Sequence, residues 1–566
     1  MKQLIECVPN FSEGRDMTVI KQITDVIESV EGIKLLDVDP GKATNRTVVT
    51  FVGTPSEVIE AAFLAVKKAS EVIDMSKHHG EHPRFGAADV CPLIPISNIS
   101  MEETVKFAQK LAERIGNELE IPVYCYEFAA TEEKRKNLAN CRAGEYEGLP
   151  KKLIDPDWKP DFGPAQFTAK VAKSGATAVS ARNFLVAYNV NLNTTSVRKA
   201  NSIAFDVREN GRVKTEGNKI NGKPIIDENG NQVRIPGTLK KVKAIGWFIE
   251  EYGIAQISMN LTDITVTPVH TAYEEVKKSA ESRGIRVSGS ELVGLIPLQS
   301  VLDAGKFYLK MQNRSTGISD AEIIKIAVKS LGLDELKPFI PEERIIEYVL
   351  ENKQNKPLIN LKLNEFADLT GSEAPAPGGG SIAAYMGALG AALGTMVANL
   401  SSHKRAWDDK WELYSDWADK GAHYYKALLN MVDEDTQAFN KIMEAFKLPK
   451  NNDEEKEVRN RAVQEATKYA IEVPFKIMEL AHGSMEILKA MAEIGLKASV
   501  SDAGVGTLAA KAAVHGAFMN VKINMSGLDD KIFAEKMLKK GNDIFEKTIA
   551  AEKEILEIVE QKIILP

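Results

Sequence analysis

The run Ser-Lys-His-His-Gly-Glu-His-Pro-Arg-Phe-Gly, Ser76 to Gly86, holds three of the chain's eight histidines. His78, His79 and His82 stand there beside Glu81 and Arg84, and Gly80 and Pro83 break any helix, so these side chains project from a loop, a usual place for function. A histidine titrating near neutrality can take and return a proton, and Arg84 is available for a substrate carboxylate. His79 and His82 also have a zinc-ligand spacing, but no cysteine pair or downstream histidine completes such a site. A solvated polar loop is the alternative reading.

A second set lies in the last third of the chain. In Val432-Asp-Glu-Asp-Thr-Gln-Ala-Phe439, helical offsets of three and four align Asp435 with Leu428, Phe439, Ile442 and Phe446 and direct Asp433 toward solvent. A carboxylate on an apolar stripe is costly unless it is paired or used, and burial raises its pKa toward the range a proton-transfer group needs. A buried cap or a helix-to-helix hydrogen bond is the other account. Ala376-Pro-Gly-Gly-Gly-Ser381, which contains Gly378, Gly379, Gly380 and Ser381, can turn successive backbone N–H groups to an anion or a polar ring edge. It lacks the Lys-Ser or Lys-Thr of a phosphate-binding loop and the preceding strand of a dinucleotide fingerprint. Gly387, Gly390 and Gly394 are spaced for close helix contact. Asp502 is placed as an N-cap or a pocket residue, and Asn520 and Asn524, one turn apart, can bind a ring amide or bridge helices. Finally, Trp158 to Phe167, followed by Ser174 to Arg182, puts aromatic, proline and glycine residues on a connection that either stacks on a flat heterocycle or is simply stiff.

These residues need elements to hold them. From residue 1 to about 126, strands are expected at Leu4 to Val8, Ile33 to Asp37, Thr47 to Val52, Val90 to Ile96 and Pro122 to Tyr126, with helices at Met17 to Val30, Ser56 to Val72 and Met101 to Gly116. The β-α-β-β-α-β order is the split βαβ, or ferredoxin-like, arrangement. A second instance follows: strand Phe184 to Leu192, helix Ser196 to Phe205, strands Ala244 to Ile249 and Ile254 to Leu261, helix Ala272 to Arg283 and edge strand Leu292 to Pro297. Glu209 to Gly237 reads as an inserted surface hairpin. From Leu361 onward the period is helical, with long helices at 384–400, 411–446, 453–494, 505–525 and 531–559. The fold class is therefore multidomain α+β and all-α: two ferredoxin-like βαββαβ subdomains, 1–181 and 182–350, a polar linker at 351–358, and a helical-bundle domain, 359–566.

The chain has 566 residues, which at about 150 residues per domain fits three or four units. Its 72 Lys and Arg against 79 Asp and Glu leave a net charge of −7, so nucleic acid is not an expected partner and any anionic ligand must meet a local basic cluster. Four scattered cysteines, Cys7, Cys91, Cys125 and Cys141, suit a reducing, cytoplasmic setting. Ala374 to His403 has no Asp, Glu, Lys or Arg, but it is mostly Ala and Gly and begins with Pro375 and Pro377. A close-packed helix is expected there rather than a membrane span.

At these residues the chain resembles the formimidoyltransferase-cyclodeaminase family of folate one-carbon metabolism and histidine breakdown. The likeness runs through CVPNFSEG (Cys7 to Gly14), LLDVDPGKATNRTVVTFVG (Leu35 to Gly53), GEHPRFGAADVCPLIP (Gly80 to Pro95), RAGEYEGLPKKL (Arg142 to Leu153) and DFGP (Asp161 to Pro164). HTAYEE (His270 to Glu275), LVGLIPL (Leu292 to Leu298), PGGGS and VDEDTQAF continue it. The resemblance implies that the first two units are the transferase and that His82 is its catalytic histidine. It implies that Gly163 to Gly175, with Gly163, Pro164, Phe167 and Gly175, is a folate-binding stretch, and that Asp435 is the catalytic aspartate of the cyclodeaminase. Arg84, Arg142, Lys151 or Lys152 would hold carboxylates of N-formimidoyl-L-glutamate or of the folate tail, and PGGGS, Asp502, Asn520 and Asn524 are pocket candidates. Tetrahydrofolate, as a polyglutamylated co-substrate, is the implied cofactor, no metal is expected, and a homo-oligomer is. The 209–237 insertion, longer than in the animal enzymes, and the cluster Trp407, Trp411, Trp417 depart from the family pattern. A helical domain acting as methenyl-tetrahydrofolate cyclohydrolase, or a folate-binding protein with one inactive site, are the alternatives.

Overall fold

The computed structural model describes residues 3–41, 45–80, 84–217, 222–350 and 357–564, and its contacts divide the chain into two units. One comprises 1–296 with 333–350 and is mixed α/β; the other comprises 297–332 with 351–566 and is helical. The helices Leu298–Met311 and Asp320–Leu331 thus group with the helical unit, although they precede the expected linker. Of that linker, 351–356 lie outside the described residues.

In the α/β unit the larger sheet runs, edge to edge, Lys34–Gly41, Arg46–Gly53, Leu4–Cys7 continued by Asn10–Phe11, Ala88–Ser97, Thr177–Ala181 and Val123–Glu127. Pro9, which has no N–H to give a ladder, falls where the first strand is interrupted. Alternation along the strands sorts the side chains. Ile5, Cys7, Val49, Phe51, Cys91 and Leu93 enter the core beneath the helices Met17–Glu28, Pro55–Val72 and Met101–Leu119. Glu6, Asn10, Arg46, Val48 and Thr50, of the other parity, are left for the opposite face. Thr177–Ala181, expected as part of an inter-unit connection, is instead a fully buried strand, parallel to both neighbours. At five residues, TAVSA is too short to show a period against its glycine-rich flank.

The smaller sheet orders Val242–Ile249, Ile254–Leu261, Val186–Leu192 and Val287–Val293, all antiparallel, with the helices Val197–Val207 and Val269–Glu281 burying Ile203, Ala204, Ala272 and Val276. Its edge strand lies at Val287–Val293 rather than at 292–297, because Gly294, at φ +80°, turns the chain out of the ladder. Within 209–237, Arg212–Val213 pairs with Arg234–Ile235, the hairpin expected from the Asn-Gly signals; residues 218–221 lie outside the described residues.

The helical unit is built on Gly379–Ser402, Trp411–Lys447, Asp453–Gly483, Val500–Asn524 and Lys531–Ile564. The expected helix 453–494 is two, Asp453–Gly483 and Met485–Ile494, divided at Ser484. Gly379–Ser402 and Val500–Asn524 cross with Gly390 against Gly506, where a methyl on either glycine would fall within 3 Å of the other's carbonyl oxygen, so close packing accounts for Gly390. Gly379–Ser402 is long and apolar enough to cross a membrane by length and composition, yet 61% of its most apolar stretch is buried inside this unit. Trp407 stacks on Tyr414 at 5.4 Å and belongs to the core packing of the bundle.

Candidate active sites

In the α/β unit, the faces of both sheets that carry no helix line two adjoining hollows of about 480 and 620 Å³. Asn10, Arg46, Arg142, Arg182, Leu185 and Lys243 line both, and Lys241 adds a further cation to the first. Here is the local basic cluster that a chain of net charge −7 needs for an anionic ligand. Asp89, 1% exposed, binds the Arg142 guanidinium and lies 3.2 Å from that of Arg46, while Arg46 Nε donates to Asn10 Oδ1 at 2.9 Å. The two arginines are therefore held in place before any ligand arrives. Glu6 is buried in the second hollow; burial pushes its carboxyl up to about 7, against the opposing pull of Arg182.

The histidine loop approaches this cleft through Asn45. His78 Nε2 meets Asn45 O at 2.8 Å and Asn45 Nδ2 donates to His79 O at 2.9 Å, which ties the loop to the neighbour of Arg46. His78 is thus buried and structural, whereas His79 is exposed. Burial lowers the His78 pKa. His82, Glu81 and Pro83 lie outside the described residues. Arg84 donates to Met75 O at 3.0 Å and to His78 O, pairs with Glu147 and lies over the Tyr146 ring. Its guanidinium is spent on holding the loop.

Other expected residues have different surroundings. Lys152 is buried, not facing the cleft; it donates to Asn140 O, Cys141 O and Ala143 O at 3.1, 2.5 and 3.3 Å and sits 4.3 Å from the Trp158 ring centroid. Burial lowers its pKa to about 8, which leaves it mostly an ammonium at neutral pH, able to satisfy three carbonyls around Arg142. Lys151 is exposed. Gly163, Pro164, Phe167 and Gly175 are not among the residues lining the cleft. Gly163 (φ +85°) and Gly175 (φ +66°) lie where a Cβ would meet Ile121 O at 2.3 Å and Phe85 O at 2.4 Å, so backbone packing demands them. Phe167 sits edge-on to Tyr146 at 6.1 Å. Asn10, Arg46, Arg182, Lys241 and Lys243 were not singled out from sequence. Asn10 and Arg46 fall inside CVPNFSEG and ATNRTVV, but only strand pairing sets them beside Arg142.

In the helical unit a small cavity of about 120 Å³ is lined by Gly378, Gly379, Gly380, Asp435, Asn520 and Asn524, with Phe439 and Ile442 among its apolar walls. Five of the expected positions, three glycines and two asparagines, thus meet the expected aspartate. Ser381, fully buried, is behind the wall: its hydroxyl donates to Val432 O at 2.8 Å and lies 3.2 Å from Asp435 Oδ2. Burial raises the Asp435 pKa, opposed by the Ser381 hydroxyl and backbone N–H. Gly380 leaves room for this carboxylate, since a Cβ there would fall 2.0 Å from Asp435 Oδ1.

Two expectations change. Asp433 is not turned to solvent; it is 3% exposed and accepts from the N–H groups of Leu358 and Ile359 at 2.8 and 3.2 Å. Both sides of its helix are covered, which an angle on a helical wheel does not reveal. Phe439 and Phe446, expected on a buried stripe, are 41% and 48% exposed, and Phe439 forms cavity wall rather than core. Asp502 is in the first turn of Val500–Asn524, 18 residues and about 27 Å along the helix from Asn520, and Ser499 holds the N-cap position. It does not line the cavity.

A cationic cleft on an α/β unit and a carboxylate-bearing cavity in a helical unit make a chain with two separate sites, the organisation of a bifunctional enzyme. Comparison with known proteins agrees. Residues 4–182 match the formiminotransferase domain, N-terminal subdomain; 187–351 match the formiminotransferase domain; 362–543 match formiminotransferase-cyclodeaminase. Formimidoyltransferase-cyclodeaminase of Gallus gallus is 44% identical over 563 residues, 99% of this chain and 100% of that protein. Glutamate formimidoyltransferase of Streptococcus pyogenes is 41% identical over 313 residues, 55% of this chain and 95% of its own length. Methenyltetrahydrofolate cyclohydrolase of Methylorubrum extorquens is 37% identical over 204 residues, 36% of this chain and 98% of its own. The chain belongs to the formimidoyltransferase-cyclodeaminase family.

Proposed function

We propose that this chain transfers the formimidoyl group of N-formimidoyl-L-glutamate to N5 of tetrahydrofolate, releasing L-glutamate, and then cyclises 5-formimidoyl-tetrahydrofolate to 5,10-methenyl-tetrahydrofolate with release of ammonia. The carrying observation is the meeting of Asp435 and the 378–380 glycines with Asn520 and Asn524 in one cavity, with Ser381 behind Asp435, on a chain whose other unit offers a cationic cleft for a polycarboxylate. In the transfer, His82 accepts the N5 proton and returns it to the departing glutamate nitrogen. Arg142, with Arg46 beside it, holds carboxylate, while Arg84 and Lys152 keep the loop and the Arg142 backbone in place. In the cyclisation, N10 attacks the formimidoyl carbon, Asp435 takes the N10 proton and passes it to the former imino nitrogen, and that nitrogen, with one further proton taken up from solution, leaves as ammonia as its bond to carbon breaks and the methenyl cation forms. The raised pKa of Asp435 suits that relay.

The same reading takes 1–181 and 182–350 as transferase subdomains of ferredoxin-like type, supported by the 2-3-1-4 strand order of each four-strand core. It takes 359–566 as the cyclodeaminase domain of a cytoplasmic homo-oligomer. Leu389, Met396 and Leu400 on Gly379–Ser402, and Val505, Leu508, Met519 and Ile523 on the helix packed against it, are exposed, and a second copy would cover them. The Methylorubrum relative favours one other reading, in which the helical unit hydrolyses methenyl-tetrahydrofolate. A coupled assay following ammonia and methenyl absorbance separately decides between them. His82→Ala should abolish transfer and leave cyclisation of supplied 5-formimidoyl-tetrahydrofolate near normal, and Asp435→Asn should do the reverse. Absence of ammonia from the parent enzyme, with methenyl-tetrahydrofolate consumed, would select the hydrolase.

A further inference from the structure

We propose that the cavity of the helical unit takes its ligand as a cation, gripping the protonated amidine end, N–CH=NH2⁺, with the Asp435 carboxylate and the side-chain oxygens of Asn520 and Asn524. This rests on the function proposed above and names the charge state which that site selects. Asn520 Nδ2 donates to Gly516 O at 2.8 Å, and Asn524 Nδ2 donates to Ala470 O at 2.7 Å. A backbone carbonyl only accepts, so both amide groups are fixed in orientation, and each Oδ1 is an acceptor without a donor among the described residues. Both asparagines line the same cavity as Asp435. The Ser381 hydroxyl and N–H are directed at Asp435 and Val432 O, and among the described residues no Lys, Arg or His is in the lining. What remains on the donor side is backbone N–H at the start of Gly379–Ser402, and the half charge of a helix N-terminus is outweighed by the full charge of one carboxylate.

Size restricts what enters. About 120 Å³ accommodates a few non-hydrogen atoms, enough for a CH–NH2 group and too little for a pteridine ring. The half-exposed Phe439 then offers its face to the flat ring outside. The terminal NH2⁺ presents two N–H donors, shared among the three acceptors, and its positive charge faces the carboxylate, whereas a formyl oxygen in the same place opposes lone pair to lone pair. Sites built around such hydrogen bonds discriminate strongly against a ligand that cannot make them.

The test uses the full chain at constant ionic strength, with formamidinium chloride and formamide, a cation and a neutral molecule of equal size, as inhibitors of ammonia release from 5-formimidoyl-tetrahydrofolate. Formamidinium should reach half-inhibition at a concentration at least tenfold below formamide. Asn520→Asp should widen that ratio and Asn520→Leu should narrow it, with helix content checked by circular dichroism. Equal inhibition by the two probes, or a ratio unmoved by both variants, overturns the proposal. If the parent enzyme releases no ammonia, the function fails; the preference of formamidinium over formamide in raising the melting temperature, compared between parent and Asn520→Leu, then decides the cation site by itself. A preference lost in Asn520→Leu upholds it, and none in the parent overturns it.

Discussion

Glu6 and Asp435 show how one residue type is set to different tasks by its surroundings. Both carboxyls are raised by burial, Glu6 against a guanidinium and Asp435 against a hydroxyl and an N–H. For Glu6 the stability consequence has a definite sign. Its pKa is raised from 4.5 in the unfolded chain to about 7 in the fold, so the unfolded chain ionises first. The cost is absent below pH 4.5, grows as pH climbs to 7, and is constant above, at about 3 kcal/mol. Glu6→Gln should therefore melt near the parent temperature at pH 4.5 and several degrees above it at pH 8, measured by calorimetry. A gain of the same size at both values would refute the assignment.

At the scale of the element, the start of helix Gly379–Ser402 and the middle of Trp411–Lys447 must approach closely enough for Ser381 to reach Asp435. Gly380 sets that distance, and Gly380→Ala is expected to displace the carboxylate. Cyclodeamination should fall by about tenfold or more, a loss of at least ~1.4 kcal/mol in transition-state stabilisation, while formimidoyl transfer is unchanged. Kinetics of the two half-reactions on the same preparation check this. The elements themselves were largely legible from hydrophobic period. The period did not single out TAVSA, too short to display one, the helices Leu298–Met311 and Asp320–Leu331, or the break at Ser484, which a lone glycine, Gly483, precedes. Asp433 was misread for a related reason, since a helix buried on two sides has no solvent face for its off-stripe residues.

For the whole molecule, the exposed apolar side chains of helices Gly379–Ser402 and Val500–Asn524 are the feature with the largest physical consequence. Met519 and Ile523 are each 68% exposed, and Leu508 and Leu389 nearly half. Leu508→Glu or Met519→Lys should give smaller species than the parent chain, read by light scattering over a range of concentrations. The same mass in parent and both variants would count against a second copy on this face.

Residue types and their spacing were enough for the class of chemistry: a histidine loop, a glycine run and an aspartate in helical register are local patterns, and local patterns survive in one dimension. They also carried the family resemblance and the split between α/β and helical halves. Which charged groups face a ligand was a matter of folding alone. Arg84 and Lys152 looked like free cations and are consumed by carbonyls and a carboxylate, while Arg46, Arg182 and the pair Lys241 and Lys243 converge from three separate stretches. A side chain's partners are set by strands paired across tens of residues and by which sheet face the helices leave open. That depends on long-range pairing, and no window of sequence contains it.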